Sequence, residues 1–133
     1  MDAIDNCKVQ FGGSGKLFEP MDQITNDAVY LAFPNLHQRW IGIYTLPDPA
    51  PREFHYVSKE PSTPLAFNGW HVGEPNDHGE EDCAFMYNLK WFDTNCKKIL
   101  PSICQMEKQG KRVFQIQLRK MNISQFAILL KLK

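Results

Sequence analysis

Four cysteines, Cys7, Cys83, Cys96 and Cys104, restrict this chain more than any other feature. They are even in number, include no C-x-x-C pair, and lack the Cys/His spacing of a zinc site. They read as two disulfides, with three pairings open on paper. A bridge from Cys83 to Cys96 would close a short loop and stabilise by about 3 kcal/mol in the chain-entropy account. A bridge from Cys7 to Cys104 would close a longer loop and contribute somewhat more. Disulfides predict an oxidising compartment, hence secretion. The opening MDAIDNCKVQ has neither a basic start nor an apolar stretch, so no signal peptide is read there. A secreted chain beginning this way is expected to be a fragment or a processed form.

A hydrophobic fraction of 43% and three tryptophans in 133 residues predict one globular domain. No apolar run approaches the roughly 20 residues that span a bilayer. The zero net charge hides an asymmetry. All 15 acidic residues lie at or before Glu107 with eight of the 15 basic ones, leaving that part at −7, while everything from Lys108 onward is basic or neutral. A negative body argues against a nucleic-acid partner. The basic end reads as a solvated tail or as a contact for an anionic surface.

Along the chain, Gly12 to Lys16 reads as a turn, and Leu17 and Phe18 begin a short apolar segment. From Asp22 to Phe33 a helix is predicted, with Ile24, Ala28, Leu31 and Ala32 on its apolar face. Thr25 or Asp22 is its cap and Pro34 its stop. Strands are predicted at Trp40 to Tyr44, Phe54 to Val57, Ala84 to Tyr87 and Ile99 to Cys104. Between Ser58 and Asp82 the chain is rich in Pro, Gly, Asn and acids, without hydrophobic period. A structureless stretch of that length in a compact domain is usually functional. The order implies an α+β domain.

Within that stretch, EPNDHGEEDC puts five carboxylates, an amide and a histidine before Cys83. Two unit charges about 4 Å apart repel by about 4 kcal/mol at an effective dielectric near 20, so the cluster needs compensation. Ca²⁺, which accepts six to eight oxygens in loose geometry, supplies it. Pro75 interrupts any EF-hand pattern. The bland alternative is a hydrated acidic turn.

Trp40-Ile41-Gly42-Ile43, Trp70, Glu74-Pro75-Asn76, Glu81-Asp82-Cys83, Trp91-Phe92-Asp93 and Cys96…Cys104 occur in the order of a C-type lectin-like domain, which this chain resembles from about Cys7 to Glu107. The resemblance implies the C-type lectin-like fold: short antiparallel strands, one or two helices and a long Ca²⁺-binding loop. It pairs Cys7 with Cys104 and Cys83 with Cys96, and makes Ser58 to Asp82 the long loop, held by Trp70. It implies a cis peptide before Pro75 and a principal Ca²⁺ ligated by Glu74, Asn76, Glu81 and Asp93. Asp77 and Asp82, with Glu81, would hold an auxiliary Ca²⁺, completed from around Asp48 and Glu53. The function it implies is Ca²⁺-dependent recognition of carbohydrate. Two sugar hydroxyls would meet the ion, their protons accepted by Glu74 and Glu81 and their lone pairs taking an N–H from Asn76. His78 would touch the sugar or stand in solvent. In this family the EPN order goes with mannose-type hydroxyls, and such sites bind weakly singly and gain from multivalency, here through a homo-oligomer. Secretion and a place in innate recognition of glycans would follow.

Two departures stand out. Sugar-binding members carry asparagine where this chain has Phe92, so one oxygen and one N–H are missing. The ring is expected either in the core or stacked on a sugar. Only six residues precede Cys7, so the usual first strand and most of the first helix are lacking from a domain drawn over residues 1–107, followed by a basic extension, 108–133. The absent strand normally pairs with the last one. Val113, Ile116 and Leu118 in RVFQIQL partly alternate with polar residues, which offers a replacement strand; the alternative is a loosely ordered extension. Trp40, Trp70 and Trp91 read as core residues. Asn122-Ile123-Ser124 matches the N-glycosylation triplet, a common chance occurrence. Competing functions are a protein-binding or structural member of the same fold, and a hydrolase using two carboxylates. The hydrolase is disfavoured because an exposed loop offers no desolvated pocket to raise a carboxyl pKa.

Overall fold

The computed structural model describes residues 2–10, 13, 15–33, 37–47, 53–76, 80–108, 110–117 and 124–131. Among these residues two helices, α1 (Asp2–Gln10) and α2 (Gln23–Leu31), accompany eight strands. These are β1 (Lys16–Leu17), β2 (Arg39–Tyr44), β3 (His55–Tyr56), β4 (Cys83–Tyr87), β5 (Lys90–Thr94), β6 (Ser102–Lys108), β7 (Lys111–Gln117) and β8 (Ser124–Lys131). They form one sheet in the order β5-β4-β2-β6-β7-β8, with β1 on β6 and β3 on β2. Every pairing is antiparallel except β2 with β6. The α+β architecture expected from the sequence is the one found.

Helix α2 starts where Asp22, in extended conformation, accepts the Thr25 N–H at 2.7 Å. Its buried side is not the predicted one. Thr25, Asn26 and Val29 face the core, whereas Ile24 and Leu31 are 71% and 62% exposed and Ala28 is also exposed. Hydrophobicity misled here because Asn26 is buried for its hydrogen bonds. Its amide nitrogen donates to the Leu89 carbonyl at 3.1 Å, and its Oδ1 accepts from Trp91 Nε1 at 2.9 Å.

Those two bonds hold the hairpin that carries β5, a strand the sequence reading passed over. Tyr87 and Lys90 are paired across a two-residue turn, Asn88-Leu89, with φ of 51° and 69°. Positive φ at both central residues is the type I′ geometry that matches strand twist. A leucine in that region costs about 1–2 kcal/mol, and the Asn26 bond to its carbonyl opposes that cost. Likewise β6 begins at Ser102, not at Ile99, which is 54% exposed and outside the strand.

The core has two parts on either side of β2 and β4. The larger gathers Phe18, Val29, Phe33, Ile41, Ile43, Tyr56, Ala84, Met86, Trp91, Ile103 and Phe114. The smaller surrounds the disulfides with Ala3, Leu17, Trp40 and Phe85. Cys7 is bonded to Cys104 and Cys83 to Cys96. Trp40 and Trp91 are buried, and Trp70 is half-buried against the larger cluster.

The basic end of the chain carries on the sheet. Strand β6 runs past residue 107 to Lys108, turns at Gly110 (φ 73°), and β7 pairs with it over seven residues. Phe114 of β7 is fully buried, edge-on to Phe18 with ring centroids 5.3 Å apart. Of the two readings of RVFQIQL, the strand is the one observed, although Leu118 lies outside the described residues. No helix among the described residues is long and apolar enough to cross a membrane.

Candidate metal and ligand site

Among its described residues the long loop after β3 has no named strand, and aromatic packing and a few backbone bonds hold it. Trp91 lies under it, edge-on to Phe67 at 5.4 Å and to Trp70 at 5.6 Å, while Trp70 meets Phe54 at 5.0 Å. The Trp91 N–H donates to the Gly69 carbonyl at 2.9 Å, and its carbonyl accepts from the His71 N–H at 3.0 Å. A Cβ at residue 69 would lie 2.3 Å from a Trp91 ring carbon, so only glycine allows this approach. At the other end Tyr56 donates to the Pro20 carbonyl and accepts from the Ala66 N–H.

This packing delivers the loop's acidic segment to β5. Within β5 the buried Trp91 and Asp93 share one face, and Phe92 has the other. Asp93 Oδ1 accepts the Asn76 backbone N–H at 3.0 Å. The Asn76 side-chain amide donates to Glu74 Oε1 at 2.8 Å, and the Asp93 backbone N–H donates to Glu74 Oε2 at 3.4 Å. The Glu74–Pro75 peptide is cis, as the resemblance implied. Three of the four residues expected to ligate Ca²⁺, from segments 17 residues apart at Asn76 and Asp93, are thus in one hydrogen-bonded group.

The fourth, Glu81, is half-buried and close enough to act on Glu74 electrostatically. Desolvation, then Asp93, then the charge of Glu81 push the Glu74 carboxyl up to about 7. That corrects one sequence argument: an exposed loop was expected to raise no carboxyl pKa, and partial burial beside a second carboxylate does so. Asp82 is half-buried, and its carbonyl accepts the Thr45 N–H at 2.9 Å. Asp48, Asp77 and His78 lie outside the described residues, so the auxiliary set is represented by Asp82 and Glu81 alone, with Glu53 exposed.

The donor chemistry fits a hard divalent cation: carboxylate and amide oxygens gathered from Glu74, Asn76 and Asp93, with the charge of Glu81 close enough to act on Glu74. The ligands are not already spread for it. Among the described residues no three His, Cys, Asp or Glu side chains stand at metal-holding distance. Glu74 is instead satisfied by Asn76 and Asp93, bonds that must be exchanged for the ion.

Sequence reasoning missed the role of Phe92. Its ring neither enters the core fully nor stands free. It is half-buried, stacked on Phe85 at 5.3 Å and 13° and on His71 at 4.9 Å and 23°. The signal was present in strand alternation, which puts residue 92 on the face of Phe85, its cross-strand partner.

Comparison with known proteins shows the family and the fold. The family described as the Lectin C-type domain matches residues 2–106. Collectin-11 of Danio rerio is 34% identical over 101 residues, covering 73% of this chain and 36% of that protein. Mannose-binding protein of Gallus gallus is 33% identical over 81 residues, covering 60% of this chain and 30% of that protein. The chain therefore spans about a third of these relatives' length. Among solved structures, the mouse scavenger receptor C-type lectin carbohydrate-recognition domain superposes with a TM-score of 0.68 at 21% identity, covering 81% of this chain and 82% of that one. The C-type lectin CEL-I of Cucumaria echinata gives 0.63 at 17% identity, covering 77% and 79%. These two share the fold.

Proposed function

The chain belongs to the C-type lectin domain family, and on that premise we propose that it is an extracellular, Ca²⁺-dependent lectin for mannose-type glycans. The observation that carries the reading is the Glu74–Asn76–Asp93 group, in which desolvation, then Asp93 and then the charge of Glu81 push the Glu74 carboxyl up to about 7. Glu74, Asn76, Glu81 and Asp93 would hold the ion. When bound, Ca²⁺ supplies coordination positions for two neighbouring sugar hydroxyls.

The side chains do the discriminating. Glu74 and Glu81 accept hydrogen bonds from the hydroxyls, and the Asn76 amide, which now donates to Glu74, turns its N–H toward a hydroxyl oxygen. Such charge-assisted bonds are strong individually, while the open, wet setting keeps the affinity of one site low. The acceptor-donor order of Glu74 and Asn76 is what supports mannose over galactose; the Gallus gallus relative is itself named for binding mannose. Two disulfides support an oxidising, extracellular setting. Recognition of foreign glycans in innate defence is the role this would serve, with homo-oligomers adding avidity.

The test is retention on immobilised mannose in Ca²⁺, release by a chelator, and a shift toward galactose in Asn76→Asp. No retention, together with no Ca²⁺ uptake by calorimetry, would leave the protein-binding or structural reading of the same fold. Turnover of an oligosaccharide would favour the hydrolase.

A further inference from the structure

The stack of Phe85, Phe92 and His71 has a use beyond packing. His71 is exposed, yet two contacts fix its ring: Phe92 against one face, and its Nδ1 on the Val72 carbonyl at 2.9 Å. The carbonyl accepts, so Nδ1 carries the hydrogen. Long or mobile side chains on a surface normally keep their rotamer freedom, and ordering one costs free energy. Here the ordering is already done. With Phe92 covering one face, the exposure of His71 is that of its opposite face and edge.

The position of this ring follows from two connections to the candidate site. The Glu74 N–H donates to the His71 carbonyl at 2.9 Å, closing a turn in which Gly73 has φ of 86°. From the other side, Glu74 Oε2 reaches the amide that joins Phe92 to Asp93. His71 is therefore tied to the Glu74 backbone, and Phe92 directly precedes the residue whose N–H donates to the Glu74 carboxylate. At the tip of the same turn Val72 is 93% exposed, adding an apolar group beside the imidazole.

We propose that the outer face of His71, propped by Phe92 and flanked by Val72, is a stacking platform for the apolar C–H face of a pyranose, either the ion-held sugar or the next unit of the same glycan. This rests on the carbohydrate reading above. The occupant follows from continuity: a glycan whose hydroxyls engage Glu74 and Asn76 extends over adjoining surface, and this surface carries a flat imidazole held by two contacts beside an exposed apolar side chain. Pyranoses present hydroxyls at the rim and C–H groups on a face, so an oxygen-rich cluster beside an aromatic plane matches both. Phe92 thus removes one polar contact and builds one apolar contact beside it, moving specificity from the single sugar toward the shape of what is attached.

The test is calorimetric titration of methyl α-mannoside and of a mannose disaccharide into saturating Ca²⁺, for the parent chain, His71→Ala and His71→Trp. Aromatic contacts of about 0.5–1.5 kcal/mol predict that His71→Ala weakens the better-stacked ligand by roughly two- to twelvefold, and that His71→Trp restores or exceeds the parent. Ca²⁺ affinity measured without sugar should be the same in all three. Unchanged mannoside and disaccharide affinities in His71→Ala, or dependence on His71 only for an acetylated apolar peptide, overturn the platform while leaving the lectin reading intact. A parent chain that takes up Ca²⁺ but neither sugar overturns both.

Discussion

Replacing Phe92 with asparagine should weaken the fold and strengthen the site, and the two effects can be separated. The ring makes two stacked contacts, with Phe85 at 5.3 Å and His71 at 4.9 Å. Each such pair contributes about 0.5–1.5 kcal/mol beyond its area, so Phe92→Asn should cost about 1–3 kcal/mol in chelator. Residue 92 is half-buried, so the new amide keeps access to water and adds no stranded polar group. On the binding side, asparagine restores an oxygen and an N–H next to Asp93. If the added oxygen's contact with the cation is on the scale of a hydrogen bond to a charged group, about 1.5–3 kcal/mol, Ca²⁺ affinity gains roughly ten- to hundredfold. Ligand at about 100 times its dissociation constant stabilises the folded state by about 2.7 kcal/mol. The variant should therefore be less stable than the parent in EDTA and close to it in millimolar Ca²⁺. Urea unfolding in both conditions, with Ca²⁺ calorimetry, reads this directly. Ca²⁺ is the first readout because the substitution also removes the support under His71. A variant that loses stability in EDTA and binds Ca²⁺ no more tightly would show that residue 92 does not face the ion.

Three other outcomes are expected. Glu74 titrates near 7 in the metal-free fold against 4.5 ordinarily, so between those values the folded state holds the extra proton and metal-free stability should fall as pH rises. Melts in EDTA across pH 5 to 8 should show this decline and Glu74→Gln should abolish it; an equal decline in the variant assigns it elsewhere. Because Ca²⁺ must displace that proton, its affinity should drop as pH falls below about 7, approaching tenfold per unit. Gly69→Ala meets Trp91 at 2.3 Å and should destabilise by about 1–3 kcal/mol, seen as a lower urea midpoint; an unchanged midpoint would mean that the loop yields there freely.

Much of the site was legible because its chemistry is local in sequence. Glu74, Pro75 and Asn76 are consecutive, and a run of carboxylates without cations announces a missing charge at any stage of folding. The support of the site was not legible, because it depends on contacts between distant segments. Asn26 reads as a surface residue of α2, and its burial makes sense only once Trp91, 65 residues away, offers an indole N–H. Gly69 is one of eight glycines, and nothing local marks it as the one beneath a tryptophan. The helix face was misread for the same reason. Periodicity weighs Ile24 and Leu31 by hydrophobicity, while the fold chose Thr25, Asn26 and Val29 for what lies opposite them.

The basic end of the chain shows how such contacts can change what counts as the domain. By charge alone, residues from 108 onward divide from a body of opposite sign, and a solvated tail is the natural inference. Yet the ladder bonds are made by backbone groups, Glu107 stands opposite Arg112, and β6 offers β7 a full ladder on the side away from β2. Two apolar residues then suffice to commit it: Val113 is 7% exposed and Phe114 is fully buried against Phe18, which lies between β1 and α2. Removing a phenylalanine from such a position costs about 3–5 kcal/mol, a large share of the 5–15 kcal/mol that stabilises a typical domain. Since Phe18 and Trp91 belong to one cluster, the platform under the long loop and the strand added at the far edge draw on the same packed interior. The segment beyond the apparent end of the lectin pattern is therefore packed into the same interior as Trp91, on which the long loop rests.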